Sequence, residues 1–213
     1  MAPLLPSTAQ TLPAPVDAAL SRAEADNEIR VSYTMTFQWF DGPQIKSRFD
    51  ARKKAWTVVS GNPEALPANA RKKYETYKRV ESKPGGLTYA DYRKHLRSVA
   101  LIEENPETLT YSFVSPQTPD DLEAVGKTVR TRLEIDRQTV ELSTYFVEAL
   151  APFKPNAFSR LDAFYFRQTF EKKLPGAPAL MTEVIWQAKG KRFLKSIDED
   201  YRITFSDFSR VDP

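Results

Sequence analysis

Hydrophobic and polar residues alternate strictly over residues 29–39. The even positions carry Arg, Ser, Thr or Gln, and the odd positions are all apolar: Ile29, Val31, Tyr33, Met35, Phe37 and Trp39. Because successive side chains of a strand point to opposite faces, this pattern predicts a strand with one apolar face. At about 3.3 Å per residue the strand would be about 35 Å long. Such a strand favours an antiparallel sheet with one face in water.

The same alternation recurs along the chain and predicts an antiparallel meander. Turn-forming residues separate the segments, as Asp41, Gly42 and Pro43 do after the first strand. We predict about nine strands among ten candidate segments: 29–39, 45–50, 55–59, 109–113, 129–135, 140–146, 161–171, 180–188, 193–197 and 201–208. The acidic run at 198–200 is predicted to be a solvated turn between the last two segments.

Helical spacing is found in two places. Val16, Ala19, Leu20 and Ala23 predict a short N-terminal helix. Residues 61–98 predict a helical insertion with two helical pieces, 68–79 and 88–96. The predicted fold class is therefore α+β: a long, curved antiparallel sheet forming an incomplete β-barrel, with the N-terminal helix and the insertion covering its concave face. A single domain is predicted over residues 16–213.

Composition limits the chemistry that the chain can perform. Of 213 residues, 41% are hydrophobic, which is enough for a core, and the net charge of +3 does not by itself require nucleic acid or an anionic membrane as partner. The absence of cysteine excludes disulfides, thiolate metal sites and cysteine nucleophiles. Only one histidine, His95, is present. With no catalytic motif in the chain, the sequence favours a non-enzymatic protein without cofactor or bound metal.

The N-terminal residues 1–15 allow two interpretations. A short apolar piece is followed by small residues, Ser7 and Ala9, at the spacing of a signal-peptidase site, but a basic region and a full hydrophobic region are missing. The segment is either a signal-peptide remnant or a disordered leader. The first interpretation places the protein in the periplasm or outside the cell, and the second leaves it cytoplasmic.

The order of these elements resembles the LolA/LolB-like family of periplasmic lipoprotein carriers. The resemblance extends from residue 16 to residue 208 and is carried by the helical segment 16–23 before strand 29–39, by the hairpins at 49–56 and 133–136, and by the closing segment 201–208. The chain departs from the family in lacking the lipobox cysteine of its membrane-anchored member and in having a more basic 61–98 insertion. The resemblance implies a concave apolar sheet that holds a lipid, an acyl chain or a lipoprotein.

Nine aromatic residues are candidates for the lining of such a cavity. Small-ligand pockets are mostly apolar with a few polar groups, so these residues either line a ligand cavity or form an ordinary core against the helices. They are Tyr33, Phe37, Trp39, Trp56, Tyr111, Phe113, Phe146, Tyr165 and Trp186.

The 71–97 segment is strongly basic and interleaved with tyrosines. Tyr74 and Tyr77 lie at helical spacing, as do Tyr89 and Tyr92, which favours tyrosines facing inward and cations in water. The candidate docking residues are Arg71, Lys72, Lys73, Arg93 and Lys94.

Two functions follow from these patterns. The first is a carrier that holds a hydrophobic small molecule or lipid in the concave sheet. The alternative is a cell-envelope interaction module that docks a protein partner or an anionic membrane through the basic segment, with nucleic acid not expected as a partner.

Overall fold

The computed structural model describes residues 11–40, 42–114, 128–156, 158–193 and 195–211. These residues form two α-helices, two short 3-10 helices (Pro63–Ala65 and Ala90–His95) and eleven strands. The elements are α1 (Ala14–Ala25), β1 (Val31–Trp39), β2 (Gln44–Asp50), β3 (Ala55–Ser60), α2 (Ala68–Glu81), β4 (Arg97–Glu104), β5 (Thr108–Val114), β6 (Val129–Asp136), β7 (Glu141–Ala149), β8 (Phe153–Asn156), β9 (Ser159–Glu171), β10 (Leu180–Arg192) and β11 (Lys195–Arg210).

All eleven strands belong to one antiparallel sheet. Its order is β3-β2-β1-β11-β10-β9-β7-β6-β5-β4, with the short β8 paired to β9 beside this path. The first and last strands of the chain are neighbours, since Val31 pairs with Arg210 and Trp39 with Tyr201. Within the described residues β3 and β4 are the free edges, so the sheet stays open. The predicted α+β class and incomplete barrel are confirmed, with eleven strands in place of about nine.

The alternation in β1 sets one face of the core. Tyr33, Met35, Phe37 and Trp39 are all buried. Helix α2 lies over this part of the sheet: the Tyr74 and Phe37 rings are 5.8 Å apart, and the Tyr74 hydroxyl is 2.6 Å from the Ser47 hydroxyl on β2. The helix therefore removes the apolar stripe of β1 from water.

Helix α1 covers a second part of the concave face. Pro13 precedes it, and Asp17 lies in its first turn, where a carboxylate interacts favourably with the helix dipole. Its buried side chains are Val16, Ala19, Leu20 and Ala23, the four that the sequence pattern indicates, and the helix contacts β6 and β7.

The insertion is less helical than the sequence predicts. Its first piece is α2, but the second is only the 3-10 helix Ala90–His95, and β4 begins at Arg97. The residues after Pro119 also predict a single helical turn at 120–123. This segment and residues 1–10 of the predicted leader lie outside the described residues.

The predicted turn at 198–200 is wrong, because β11 continues straight through it. Asp198 pairs with Lys189 and Asp200 with Gln187 on β10, and the Gln187 amide donates to Asp200 at 3.1 Å. Both aspartates thus occupy positions of one face, where solvent and neighbouring polar groups accommodate them. The intervening Glu199 lies on the opposite face and pairs with Lys73, so an acidic run is compatible with a strand when each of its charges is solvated or paired.

A bulge in the β9–β10 pairing depends on Gly190. The register slips after Lys189, so that Asp162 pairs with no residue of β10. A Cβ at residue 190 would lie 2.1 Å from the Arg160 carbonyl oxygen. We expect Gly190→Ala to lower the free energy of unfolding by about 1–3 kcal/mol, the cost of one strained backbone site. Urea denaturation checks this, with the exposed neighbour Lys191→Ala as a control; equal midpoints for the two variants would contradict it.

Candidate ligand-binding cavity

The concave face contains an open cavity of about 720 Å³. Its described lining comes from strands β6 to β11 and from the 3-10 helix Ala90–His95, and neither α1 nor α2 contributes to it. The residues that line it are Tyr92, His95, Val129, Tyr145, Val147, Phe153, Ser159, Leu161, Phe164, Phe166, Gln168, Trp186, Ala188, Arg192, Ile197 and Glu199. The cavity thus occupies the part of the concave face that the α-helices leave uncovered.

Cross-strand register builds the floor of the cavity. Phe166 on β9 pairs with Val147 on β7 and with Trp186 on β10, so that these three side chains share one row. Phe164 and Ala188 form the next row. The rings of Phe164 and Phe166 are 5.1 and 5.5 Å from that of Trp186. A compact aromatic surface results.

The floor is also long. From Gln168 to Leu161 it follows eight residues of β9, whose seven steps span about 23 Å at the usual strand rise. Towards its far end the floor reaches the bulge, where Gly190 pairs with both Leu161 and Ile197 and where a Cβ at residue 190 would collide with the backbone of β9.

The polar groups deep in the cavity already have partners. The Trp186 indole nitrogen donates to Glu199 Oε2 at 2.9 Å, and Lys73 Nζ lies 2.9 Å from the same oxygen and 5.0 Å from the Trp186 ring centroid. The Tyr92 hydroxyl donates to the Gln168 amide oxygen. The interior therefore offers mainly aromatic and aliphatic surface to a ligand.

His95 adds no charge to this surface at neutral pH. Burial and the neighbouring Lys94 lower the pKa of His95 below its usual value. The neutral imidazole is therefore the dominant form at pH 7.

The open end of the cavity has a different character. Arg192, an exposed residue of the lining, has no ion-pair partner within the described part of the chain. Beside it the Phe158 and Phe193 rings stack at 4.8 Å, and both are more than 60% exposed. A guanidinium and two exposed rings therefore lie next to the mouth.

Of the nine predicted aromatic residues, only Trp186 lines the cavity. Tyr33, Phe37 and Trp39 are buried in the core near α2, and the Trp56 ring packs 5.5 Å from Tyr33. The structure places this group in the covered core, because α2 lies over that part of the sheet.

The remaining four predicted residues divide between the two faces. Tyr111 and Phe113 are buried, and the Phe113 ring lies 4.9 Å from that of the cavity residue Tyr145. Phe146 and Tyr165, whose rings are 5.3 Å apart, alternate with cavity residues on β7 and β9 and so lie on the outer face. Strand parity separates these two from the cavity.

The predicted docking cations are mostly engaged within the chain. Arg71 pairs with Glu64, Lys73 with Glu199 and Lys94 with Asp91. Arg93 clamps α1 through Asp17 at 2.5 Å and Glu24 at 2.8 Å. Lys72 is exposed and makes no ion pair among the described residues. Much of the basic charge therefore serves internal contacts.

Several cavity residues are absent from the nine sequence candidates. The cavity is also lined by Tyr145, Phe164, Phe166 and Gln168. In the sequence, aromatic residues occupy all three positions 164–166 and therefore both faces of the strand. A period-two pattern cannot show which face of such a segment is concave. The sequence showed that this strand is rich in aromatic residues, but it did not show which of them face the concave side.

Comparisons with protein-family models, curated proteins and solved structures gave no match to this chain. In the described residues no group of three or more His, Cys, Asp or Glu side chains is placed to hold a metal ion. The described helices include none with the length and hydrophobicity needed to cross a membrane.

Proposed function

We propose that the protein is a non-enzymatic carrier that binds a hydrophobic ligand, such as a lipid or an acyl chain, in the concave cavity. The observation that carries this proposal is the 720 Å³ aromatic cavity on the uncovered part of the sheet. Its volume falls within the usual range of about 300–1,000 Å³ for small-molecule sites. Apolar burial is the main driving force for such binding, at about 0.8 kcal/mol per methylene group.

The cavity shape favours a chain-like ligand. A floor of about 23 Å exceeds half of the hydrocarbon core of a bilayer, which is about 30 Å thick, so one extended acyl chain fits along it. Glu199 and Gln168 are hydrogen-bonded within the protein, so the ligand does not have to supply hydrogen-bond partners for them. Arg192 at the mouth supports a ligand with an anionic end, and the stacked phenylalanines support exchange with an apolar donor.

Filling the cavity is expected to abolish most of this binding. Val147 faces the cavity and pairs with Phe166, so Val147→Trp places a large ring where the ligand chain would lie. We expect the affinity for palmitate, measured by displacement of the dye 1-anilinonaphthalene-8-sulfonate, to fall at least about tenfold, or ~1.4 kcal/mol.

The matched control lies one residue along the same strand. Glu148→Trp adds the same ring to the outer face, where Glu148 pairs with Tyr165 in the ladder, and we expect it to leave the affinity unchanged. Equal palmitate affinity in the wild type and in Val147→Trp would reject the cavity as the site. A clean organic extract of the purified protein, together with no dye binding, would reject hydrophobic-ligand binding altogether.

A second function, docking of an envelope partner or an anionic membrane through the basic segment, remains a prediction. Exposed Lys72 supports it, whereas Arg93 holds α1 in place and is committed to that contact. A test of docking should therefore reverse the charge of Lys72 and leave Arg93 unchanged.

A further inference from the structure

A second cavity, of about 730 Å³, lies beside the first. It is bounded by the C-terminal ends of α1 and α2 and by residues 83–92. Tyr92 and Gln168 line both cavities, and the hydrogen bond between them forms part of the wall that separates the two spaces.

The distinctive residue of the second cavity is Glu81, in the last turn of α2. Its side chain lines the cavity, yet the residue is only 6% exposed. Its Oε2 atom is fully buried and has no hydrogen-bond partner, and no other described residue forms an ion pair with the carboxylate. A buried carboxylate without a partner is unfavourable, and buried polar groups in folded proteins are nearly always hydrogen-bonded.

The surroundings of Glu81 are acidic. Three further carboxylates and one cation line the same cavity, namely Glu24, Glu28, Asp91 and Lys83. Glu24 pairs with Arg93 and Asp91 with Lys94, which partly offsets their charge. Three tyrosine hydroxyls also interact electrostatically with Glu81: those of Tyr33 on β1, Tyr77 on α2 and Tyr92 on the 3-10 helix.

We propose that this cavity binds a small organic cation, a primary alkylammonium group, that donates a hydrogen bond to the Glu81 carboxylate. An ammonium supplies both the missing donor and the missing charge. A metal ion fits less well, because no described cluster provides several ligands to one point. The Tyr92 ring in the lining suits the short alkyl part of such a cation. The site is separate from the hydrophobic cavity and does not depend on the function proposed there.

Protonation of Glu81 competes with the cation. Burial raises the pKa of Glu81 to about 8, so the carboxyl is mostly neutral at pH 6 and ionised at pH 9. An alkylammonium, with a pKa near that of lysine at about 10.4, stays charged over this range. Binding is therefore expected to strengthen as the pH rises and to release a proton at pH 7.

The probe is n-butylammonium, with n-butanol as its neutral counterpart, titrated calorimetrically into the full chain at about pH 6 and about pH 9. We expect saturable binding of butylammonium at the higher pH, at least about tenfold weaker binding at the lower pH, and no binding of butanol. Glu81→Gln keeps the shape of the side chain and is expected to weaken binding at least about tenfold, the loss of one charge-assisted hydrogen bond.

Glu75→Gln is the matched control, because Glu75 lies on the exposed face of the same helix and, among the described residues, forms an ion pair only with Lys78. The affinity of this variant should equal that of the wild type. Absence of butylammonium binding by the folded wild type would overturn the proposal. So would unchanged affinity in Glu81→Gln, or equal binding of butanol. Palmitate binding measured in the same samples reports on the hydrophobic cavity alone, so the two proposals fail separately.

Discussion

Glu141→Ala is expected to lower the free energy of unfolding by about 2–6 kcal/mol, because two buried donors lose their acceptor at roughly 1–3 kcal/mol each. The Glu141 side chain is 3% exposed. It accepts a hydrogen bond from the Tyr89 hydroxyl at 2.8 Å and another from the Ala179 backbone N–H. Lys172 at 2.8 Å and Arg22 at 3.2 Å complete its partners. One carboxylate thus joins α1, residue 89 and the β9–β10 connection.

Urea denaturation of the wild type and of Glu141→Ala at neutral pH measures this loss of stability. Glu148→Ala is the control on the same strand, since its ion pair with Arg130 is partly exposed and 3.5 Å long, and such pairs contribute less than about 1 kcal/mol. Glu141→Gln retains one acceptor oxygen and should fall between Glu141→Ala and the wild type. Equal stability of Glu141→Ala and Glu148→Ala would show that the Glu141 contacts are not formed.

The Glu141 contribution should also depend on pH. Burial alone would raise the pKa of Glu141, but hydrogen bonds from Lys172, the Ala179 N–H and Tyr89 outweigh it and hold the pKa below its ordinary value of 4.5. A carboxyl with a depressed pKa stabilises the fold above its ordinary pKa, and this part is lost as the pH falls through the folded value. The difference between wild type and Glu141→Ala should therefore shrink below pH 4.5.

Glu81→Gln is expected to stabilise the protein at alkaline pH, by on the order of 3–5 kcal/mol. Burial raises the pKa of Glu81 from 4.5 to about 8. Between these two values the folded state holds a proton that the unfolded state has released. The stability of the wild type is therefore highest below pH 4.5 and falls as the pH rises to about 8. A glutamine stays neutral throughout, so the variant should not show this fall.

Denaturation of the wild type and of Glu81→Gln at about pH 5 and about pH 9 compares how their stabilities depend on pH. We expect a large loss of stability in the wild type between these conditions and a much smaller one in Glu81→Gln. Glu75→Gln, on the exposed face of α2, should behave like the wild type. Parallel pH profiles for the wild type and Glu81→Gln would show that Glu81 is solvated or paired in the folded protein. If both predictions hold, Glu81 lowers stability at alkaline pH at a position where its carboxylate binds a cation, a known form of the conflict between stability and function.

Much of the fold follows from local patterns. The alternation in β1 and the spacing of Val16, Ala19, Leu20 and Ala23 predicted elements that the structure confirms. The failures lie where a pattern has two solutions. Tyr89, Tyr92 and Leu96 fit a helix, yet the chain forms only a 3-10 helix before β4, because strand pairing with β5 takes over at Arg97.

The site was less predictable than the fold. The sequence indicates that aromatic side chains share one face of each strand, but it does not distinguish an aromatic residue in the covered core, such as Phe37, from one in the cavity, such as Trp186. Phe37 is fully buried beside Tyr74 of α2, whereas Trp186 lies in the cavity. The difference depends on where α2 lies over the sheet, which is a long-range property that no local window contains.

The buried carboxylates show the same limit more sharply. Glu81 ends a helix and Glu141 begins a strand, and in the sequence both resemble the other acidic residues of surface positions. Glu141 became a buried hub because Tyr89, Lys172 and Ala179 converge on it. Glu81 is buried with no such partners.

The sequence by itself determined which side chains share a face of each strand and where the N-terminal helix lies. It also determined that the sheet has a large apolar face that something must cover. These properties depend on periodicity and on near neighbours. Only the tertiary structure decided how much of that surface α1 and α2 cover, that the aromatic floor around Trp186 stays open, and that Phe146 and Tyr165 face outward. Such choices depend on packing between residues distant in the chain, for which the local alternation of polar and apolar residues carries no signal.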